Sequence, residues 1–243
     1  MAPAVTAEVP RPRIPAQPPA VAPLPAVPDR TGTPLFAIGV VAHTSRNQQA
    51  RTLSDIVNAD CLSVDDGTLG CEANHHDIQA SLADLPTTWS VVLEDDAEPI
   101  PGFIEQLHQA LPMSPSPIVS FYLGRRRPPQ WQNRILAAIG EAANTDSPWI
   151  VSTHLLHAVA YAIRTSLLPG LLAHESAHPI DEHIGDWARR HGHTVAYTVP
   201  SLVNHADLPT IVKHRDGQPR RPGRRAWTVG SRESWSSRAV VMT

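Results

Sequence analysis

The most constraining feature of this chain is a buried strand that ends in three consecutive acids. Residues 89–93 form a short apolar and β-branched run, which is typical of a strand covered on both faces. Glu94, Asp95 and Asp96 follow without a break. Closely packed carboxylates repel one another, so at the rim of a sheet they need a cation or another partner. The pattern predicts a metal site, with a solvated acidic turn as the alternative.

The order of apolar runs and helical periods predicts an α/β fold. Strands are expected at residues 35–42, 61–64 and 89–93, with helices between them at 47–58 and 72–85. Such alternation builds a mostly parallel central sheet flanked by helices. In sheets of this kind, ligands bind outside the carboxyl ends of the strands, where the three acids would lie.

The second half of the chain continues the alternation with weaker patterns. The helices expected here span residues 102–111, 131–143 and 179–191. Strands or apolar segments are expected at residues 117–123, 157–163 and 194–199. At 243 residues, the chain has room for one sizeable core, and we expect a single domain over residues 33–215.

The two ends of the chain differ in composition from its middle. Residues 1–32 are rich in proline and alanine without periodicity, so we expect a disordered arm. Residues 216–243 are rich in arginine and serine, and we expect a loosely ordered basic tail. Neither end has the periodic apolar pattern needed to offset chain entropy, so both are expected to be dispensable for folding.

Charge, hydropathy and cysteine content exclude several classes of protein. A net charge of -3 argues against nucleic-acid binding by the folded domain. There is no signal-peptide pattern and no run of roughly 20 apolar residues, so we expect no transmembrane segment. The expected location is the cytoplasm, or the host cytoplasm if the chain is encoded by a phage. Cys61 and Cys71 match neither a zinc ribbon nor a disulfide framework and are expected to be reduced thiols.

Several carboxylates are candidates for binding a cation or a nucleotide. Asp96 is the first choice for a metal ligand, and Glu94 leaves an extended segment on the same side. Glu94 or Asp95 could instead orient a ribose or a metal-bound water. Asp65 and Asp66 end the second strand, where their oxygens could bind a base or a ribose hydroxyl, or form an Asp-Asp-Gly turn. Oxygen ligands of this kind suit Mg²⁺ or Mn²⁺ that also contacts substrate phosphates.

Two histidines and one arginine complete the candidate residues. His205 could return to the site as a further metal ligand, or be a capping or surface histidine. His75 is expected either to lie at a helix start in the pocket that binds the nucleotide-linked donor substrate or to be a core histidine. Arg46 could contact phosphate or be solvated.

Five segments, in sequence order, resemble motifs of glycosyltransferase family 25, the lipopolysaccharide and procollagen galactosyltransferase group. They extend from residue 70 to residue 205, and Asn74 stands where the family usually has serine. The family's His-Ala-Tyr-x-Ile segment has one residue between His and Tyr, whereas this chain has two more between His157 and Tyr161. The five segments are Gly70-Cys71-Glu72-Ala73-Asn74-His75, Val92-Leu93-Glu94-Asp95-Asp96-Ala97, His157 to Ile163, Pro179-Ile180-Asp181, and Pro200 to His205.

The resemblance implies a domain of the GT-A type. Such a domain transfers a hexose from a nucleotide diphosphate sugar, with UDP as the expected nucleotide, to a hydroxyl of a glycan or protein. It implies a divalent cation, Mn²⁺ or Mg²⁺, and inversion at the anomeric carbon. An inverting transfer needs a carboxylate to take the acceptor proton. The resemblance places Asp181 in this role with Glu182 in reserve, whereas position alone makes Asp181 a helix cap or dipole partner.

Two other functions are compatible with parts of the sequence. The run from His174 to His178 matches the zinc-protease pattern His-Glu-x-x-His, which requires both histidines on one helical face. Pro179 follows directly and disfavours a helical His178, which weakens the case for a hydrolase. The remaining alternative is an inactive GT-A-like domain that serves as a binding module.

Overall fold

The structure, a computed structural model, describes residues 35–211 and 223–243. The expected disordered arm at residues 1–32 lies outside the described residues, as do the first residues of the expected tail. In the described ranges, no helix has the length and apolar character required to cross a membrane.

The described residues contain ten strands in two sheets. The larger sheet has eight strands in the order β2-β1-β3-β7-β5-β8-β6-β10, and β4 pairs with β9 in a two-stranded ribbon. The strands are β1 Phe36–His43, β2 Cys61–Asp65, β3 Trp89–Glu94, β4 Ala97–Pro99, β5 Ile118–Ser120, β6 Trp149–Ser152, β7 Ala160–Arg164, β8 Val195–Thr198, β9 Val203–His205 and β10 Ala239–Val241.

Helices cover both faces of the large sheet. The α-helices of the described residues are α1 Asn47–Val57, α2 Cys71–Ala83, α3 Phe103–Ala110, α4 Gln132–Asn144, α5 Leu168–Leu172 and α6 Ile180–Arg190. Helices α1 and α3 contribute to the core on one face, and the other four contribute to the core on the opposite face. The prediction of an α/β protein is therefore confirmed.

The large sheet is mixed but mostly parallel. Strands β1, β2, β3, β5 and β8 run in one direction, and β6, β7 and β10 run in the other. The first three strands and the helices between them agree with the sequence prediction to within one or two residues. The sequence did not predict β4, β6, β9 or β10, which have three or four residues and little readable alternation. The equally short β5 and β8 were predicted because they lie within longer apolar segments.

Register brings the ends of the first three strands together. His43 of β1 is paired with Asp65 of β2, and Val41 of β1 with Glu94 of β3. The acids that follow β2 and β3 therefore share the carboxyl edge of the sheet, as expected for parallel strands. Close packing of α2 on β1 requires glycine at position 39, because a Cβ atom there would lie 2.5 Å from Cγ1 of Ile78.

Residues 223–243 correct the prediction of a loosely ordered tail. Strand β10 extends the large sheet by pairing with β6. The ring of Trp235 packs 5.0 Å from that of Trp149, and its Nε1 donates a hydrogen bond of 3.0 Å to Gln106. Val240 and Met242 are buried in the core. The domain therefore includes these residues, because large apolar side chains among the arginines bury enough surface to offset their ordering.

We predict that Trp235→Ala lowers the free energy of unfolding by about 3 kcal/mol, the usual cost of emptying a buried aromatic site. Chemical denaturation monitored by circular dichroism measures this change. Val241→Ala is the matched control on the same segment: its side chain is 65% exposed, so we expect a change within about 0.5 kcal/mol. Unfolding of Trp235→Ala at the wild-type denaturant concentration would show that residues 223–243 do not contribute to stability.

Candidate active site

Two of the three acids after β3 are compensated by an arginine. Arg46 ends the short turn Thr44–Arg46 that joins β1 to α1. Its Nη1 lies 2.7 Å from Oδ1 of Asp95 and 2.8 Å from Oδ2 of Asp96. The backbone N–H of His43 donates to the other oxygen of Asp95 at 2.9 Å. The partner that the acids require is thus partly supplied by the chain itself, and both oxygens of Asp95 are engaged.

Asp96 keeps one carboxylate oxygen unused. Within the described residues, its Oδ1 is buried and has no hydrogen-bond partner, although the residue is only 7% exposed. Burial and the negative charge of Glu94 raise the pKa of Asp96, in spite of Arg46 and His205. Buried polar atoms are almost always satisfied, so an orphaned carboxylate oxygen indicates a missing proton or cation.

The β4–β9 ribbon brings His205 to Asp96, as the sequence analysis anticipated. Ala97 is paired with His205, whose Nε2 lies 3.6 Å from Oδ2 of Asp96. The backbone N–H of Asp207 donates to Nδ1 of His205 at 2.7 Å, which places the hydrogen of a neutral ring on Nε2. A protonated Nε2 has no lone pair for a metal. In this arrangement His205 turns an N–H toward Asp96 at a distance beyond a direct hydrogen bond, and it is not placed as a metal ligand.

Glu94 ends β3 and is held by a buried polar chain. Nε2 of His75 lies 3.4 Å from Oε1 of Glu94, and Nδ1 of His75 lies 3.1 Å from the hydroxyl of Tyr161. Nε2 of Gln79 donates to that hydroxyl at 2.8 Å. Burial opposes ionisation, but contact with His75 and the nearby positive charges lower the pKa of Glu94. His75 is therefore a buried residue whose Nε2 lies beside Glu94 without a hydrogen bond among the described residues, and its role in a donor pocket stays a prediction.

Cys71 joins this group at the start of α2. Its sulfur, a ring nitrogen of His75 and a carboxylate oxygen of Glu94 all lie within 4.8 Å of one another, so together they could hold a metal ion. The sequence predicted only a reduced thiol at Cys71, because the spacing of Cys61 and Cys71 does not match a zinc ribbon. Burial and the charge of Glu94 raise the pKa of the Cys71 thiol, so a cation bound here must displace a proton.

Asp65 and Asp66 hold the loop after β2. The oxygens of Asp65 accept hydrogen bonds of 3.0 Å from the backbone N–H groups of Leu69 and Gly70. These bonds lower the pKa of Asp65 although burial alone would raise it. Oδ1 of Asp66 accepts from the N–H of Thr68 at 3.0 Å. Both acids thus serve the turn that was the alternative to nucleotide binding, and Asp65 has no oxygen without a hydrogen bond.

Asp181 lies in the first turn of α6 and faces the acidic edge. Pro179 occupies the N-cap position, and Oδ1 of Asp181 accepts only from the N–H of Glu182, at 3.0 Å. Asp181 is therefore not the cap, but as an acid in the first turn of α6 it has the position of the dipole partner that was the other part of that alternative. Burial, followed by the negative charge of Glu94, raises the pKa of Asp181 to about 6. A carboxylate with this pKa is suited to exchanging a proton near neutral pH.

Glu182, the reserve base, points away from this group. Its side chain is exposed and lies 3.4 Å from Nδ1 of His178 on the helix surface. The His-Glu-x-x-His run does not form a protease site, because residues 174–179 are not helical. His174 lies 3.7 Å from Asp186, whereas His178 contacts Glu182. In the described residues the two histidines do not share a metal site.

Three side chains contribute contacts that the sequence did not predict, although Asn74 and Tyr161 belong to the family-like segments. Tyr161 and Gln79 orient His75, and Asn74 donates to the carbonyl of Ala42 at 3.0 Å while its Oδ1 is buried without a partner. The available signal was a set of polar residues at helical spacing on α2, at positions that otherwise belong to the core face. The sequence does not indicate which strand residue such a side chain will meet.

We predict that Arg46→Met lowers the free energy of unfolding by about 3 kcal/mol, because it leaves two buried carboxylates uncompensated. Thermal or chemical denaturation at pH 7 measures the loss. Arg51→Met, on the exposed surface of α1, is the matched control and should change stability little. Adding Asp96→Asn to Arg46→Met should recover part of the loss. Equal stability of Arg46→Met and wild type would contradict the compensation described here.

The described residues therefore offer an ionised Glu94, an unsatisfied oxygen on Asp96, and Asp181 with a pKa of about 6 at one edge of the sheet. Such a group can bind a cation and accept a proton from a hydroxyl. Comparisons of the chain with models of known protein families and with curated proteins found no match.

Proposed function

We propose that this chain is a glycosyltransferase of the GT-A type. It transfers a hexose from a nucleotide diphosphate sugar, with UDP as the expected nucleotide, to a hydroxyl of a glycan or protein. The observation that best supports this proposal is the buried, unpartnered Oδ1 of Asp96 beside Glu94 at the carboxyl edge of β1 to β3. In open α/β sheets, this edge is where nucleotide ligands bind.

The residues present are compatible with a divalent cation, Mn²⁺ or Mg²⁺. Asp96, through its free oxygen, and Glu94 would hold the ion, because carboxylate oxygens suit both metals. When bound, such an ion stabilises the charge that develops on the departing diphosphate. Asp95 takes no part in this set, because Arg46 and His43 occupy its oxygens. His205 supports Asp96 from the second sheet.

Asp181 is the proposed general base. It comes from the first turn of α6, near enough to Glu94 to be affected by its charge, and burial raises its pKa to about 6. A carboxylate there can take the proton of the acceptor hydroxyl as its oxygen attacks the anomeric carbon. The attack forms the new glycosidic bond, and the bond to the nucleotide diphosphate breaks. Inversion follows from a single displacement of this kind.

The contact of Arg46 with both Asp95 and Asp96 favours a second candidate function. An arginine that already neutralises the acids lets the domain bind a nucleotide sugar without a cation and without turnover. The chain would then be an inactive GT-A-like binding module. The two functions differ in a simple observation: the enzyme releases nucleotide diphosphate when given donor, acceptor and Mn²⁺, whereas the binding module does not.

We predict that Asp96→Asn abolishes the Mn²⁺ dependence of UDP binding while the fold is retained. The substitution removes the negative charge from a cation ligand and preserves the volume of the side chain. Isothermal titration with UDP, in the presence and absence of Mn²⁺, measures the effect. Asp66→Asn, in the exposed turn, is the control and should bind as wild type does. Unchanged metal dependence in Asp96→Asn would remove Asp96 from the site.

We predict that Asp181→Asn reduces sugar transfer by roughly 10²-fold or more, the usual contribution of a positioned base, with little change in UDP affinity. A donor screen that detects nucleotide diphosphate release supplies the assay. Glu182→Gln is the matched control, since this neighbour is exposed and directed at His178. Normal turnover of Asp181→Asn, or an equal loss in Glu182→Gln, would exclude Asp181 as the base.

The raised pKa of Asp181 also predicts two pH effects. Transfer should fall as the pH drops through about 6, because a base must be deprotonated to act. A folded-state pKa above the unfolded value means that ionisation of Asp181 destabilises the fold, and this cost is present above pH 6 and disappears below pH 4. Asp181→Asn should therefore increase the free energy of unfolding by about 1 kcal/mol at pH 8. At pH 4 the two proteins should be equally stable.

A further inference from the structure

A cavity of about 390 Å³ lies beside the β4–β9 ribbon, outside the candidate active site. The loop after β5 and the segment 223–229 form most of its wall, and Asn204 of β9 completes it. The lining includes three arginines and one tryptophan: Arg125, Arg126, Arg225 and Trp227. None of these residues has a role in the proposed transfer reaction.

The charge of this cavity is unbalanced. Arg125 bonds to the backbone carbonyls of Ala226 and Trp227 at 3.0 and 3.1 Å, and its guanidinium lies over the indole ring of Trp227. Arg225 pairs with Glu98 at 2.9 Å. Within the described residues, the guanidinium of Arg126 contacts no carboxylate, and neither does that of Arg125. Three arginines thus face a single acid, and two positive charges remain uncompensated.

The cavity is separate from the acidic edge although it is close in sequence. Asn204 and His205 are consecutive residues of β9, and consecutive side chains of a strand leave opposite faces. His205 faces Asp96, whereas Asn204 faces Glu98 and the backbone of Ala226. The two-stranded ribbon therefore has an acidic site on one face and a basic cavity on the other. A single ligand group cannot contact both.

We propose that this cavity binds a phosphate group carried by a carbohydrate. Guanidinium groups recognise phosphate oxygens through charge-assisted hydrogen bonds. Among the described residues, the guanidinium of Arg126 forms no ion pair and is exposed. One face of the Trp227 ring is covered by Arg125, and the exposed side chain of Val229 adds apolar lining against which the uncharged part of a sugar can pack. Assigning the ligand to the acceptor side of the reaction rests on the proposed function. Phosphate binding itself does not.

The test uses the full chain, EDTA and no nucleotide, so failure of the proposed transferase activity would leave its result unchanged. Glucose 6-phosphate, inorganic phosphate and glucose are titrated separately, and the indole N–H signal of Trp227 is followed by NMR after assignment with Trp227→Phe. We expect glucose 6-phosphate to bind more tightly than inorganic phosphate and glucose alone not to bind. Raising the salt concentration should weaken binding, as expected for exposed charges.

The variant Arg126→Gln should weaken glucose 6-phosphate binding by about tenfold or more, the loss expected for a hydrogen bond between charged groups. Arg134→Gln is the matched control: this arginine is exposed, as Arg126 is, and it lies over the ring of Trp131 outside the cavity. Equal weakening in both variants would show only a general charge effect and overturn the site. Equal affinities for inorganic phosphate and glucose 6-phosphate would overturn the assignment to a carbohydrate ligand.

Discussion

The contact of Arg46 with Asp95 and Asp96 determines the geometry of the carboxyl edge. The arginine comes from the loop after β1 and the acids come from the loop after β3, so one guanidinium joins the two loops. Its Nη2 also donates to the carbonyl of Pro209 at 2.7 Å, which ties down the segment that follows β9. Three separate parts of the chain are thus held around two charges that would otherwise repel each other. Glu94 precedes these two acids at the end of β3, and His205 lies 3.6 Å from Asp96.

The sequence predicted the fold best where its pattern was longest. Strands β1 and β3 have six to eight residues, and α1 shows clear helical spacing, so their bounds were predicted closely. The short strands β4, β6, β9 and β10 were missed because tertiary contacts, which the local pattern does not reveal, decide where they form. Residues 223–243 were misjudged because their arginines and serines masked two tryptophans and a short apolar run.

The sequence predicted that the acids lie at the carboxyl edge of the sheet, but it did not predict which side chains they contact. Topology alone placed the acids after β2 and β3 at one edge, and the structure brings Glu94, Asp96, His75, His205 and Asp181 to that region. The partner of each carboxylate depends on side-chain reach across the fold: Arg46 and Asp96 are 50 positions apart, and His75 and Tyr161 are 86 apart. A single sequence gives no signal for such pairings. For the same reason, the sequence is compatible with two roles for Asp65, binding of a base or ribose hydroxyl and formation of the turn after β2.

The position of β10 in the sheet has a consequence for the order in which the domain assembles. Strand β6 is one of the inner strands of the large sheet, and its outer neighbour is formed by residues 239–241, which follow all the other strands in sequence. During synthesis the ribosome must release these residues before the sheet can be completed and Trp149 can be covered by Trp235. Until then the edge of β6 is open, and an open edge can pair with another chain. The nascent protein is therefore exposed to pairing at the edge of β6 until residues 239–241 emerge.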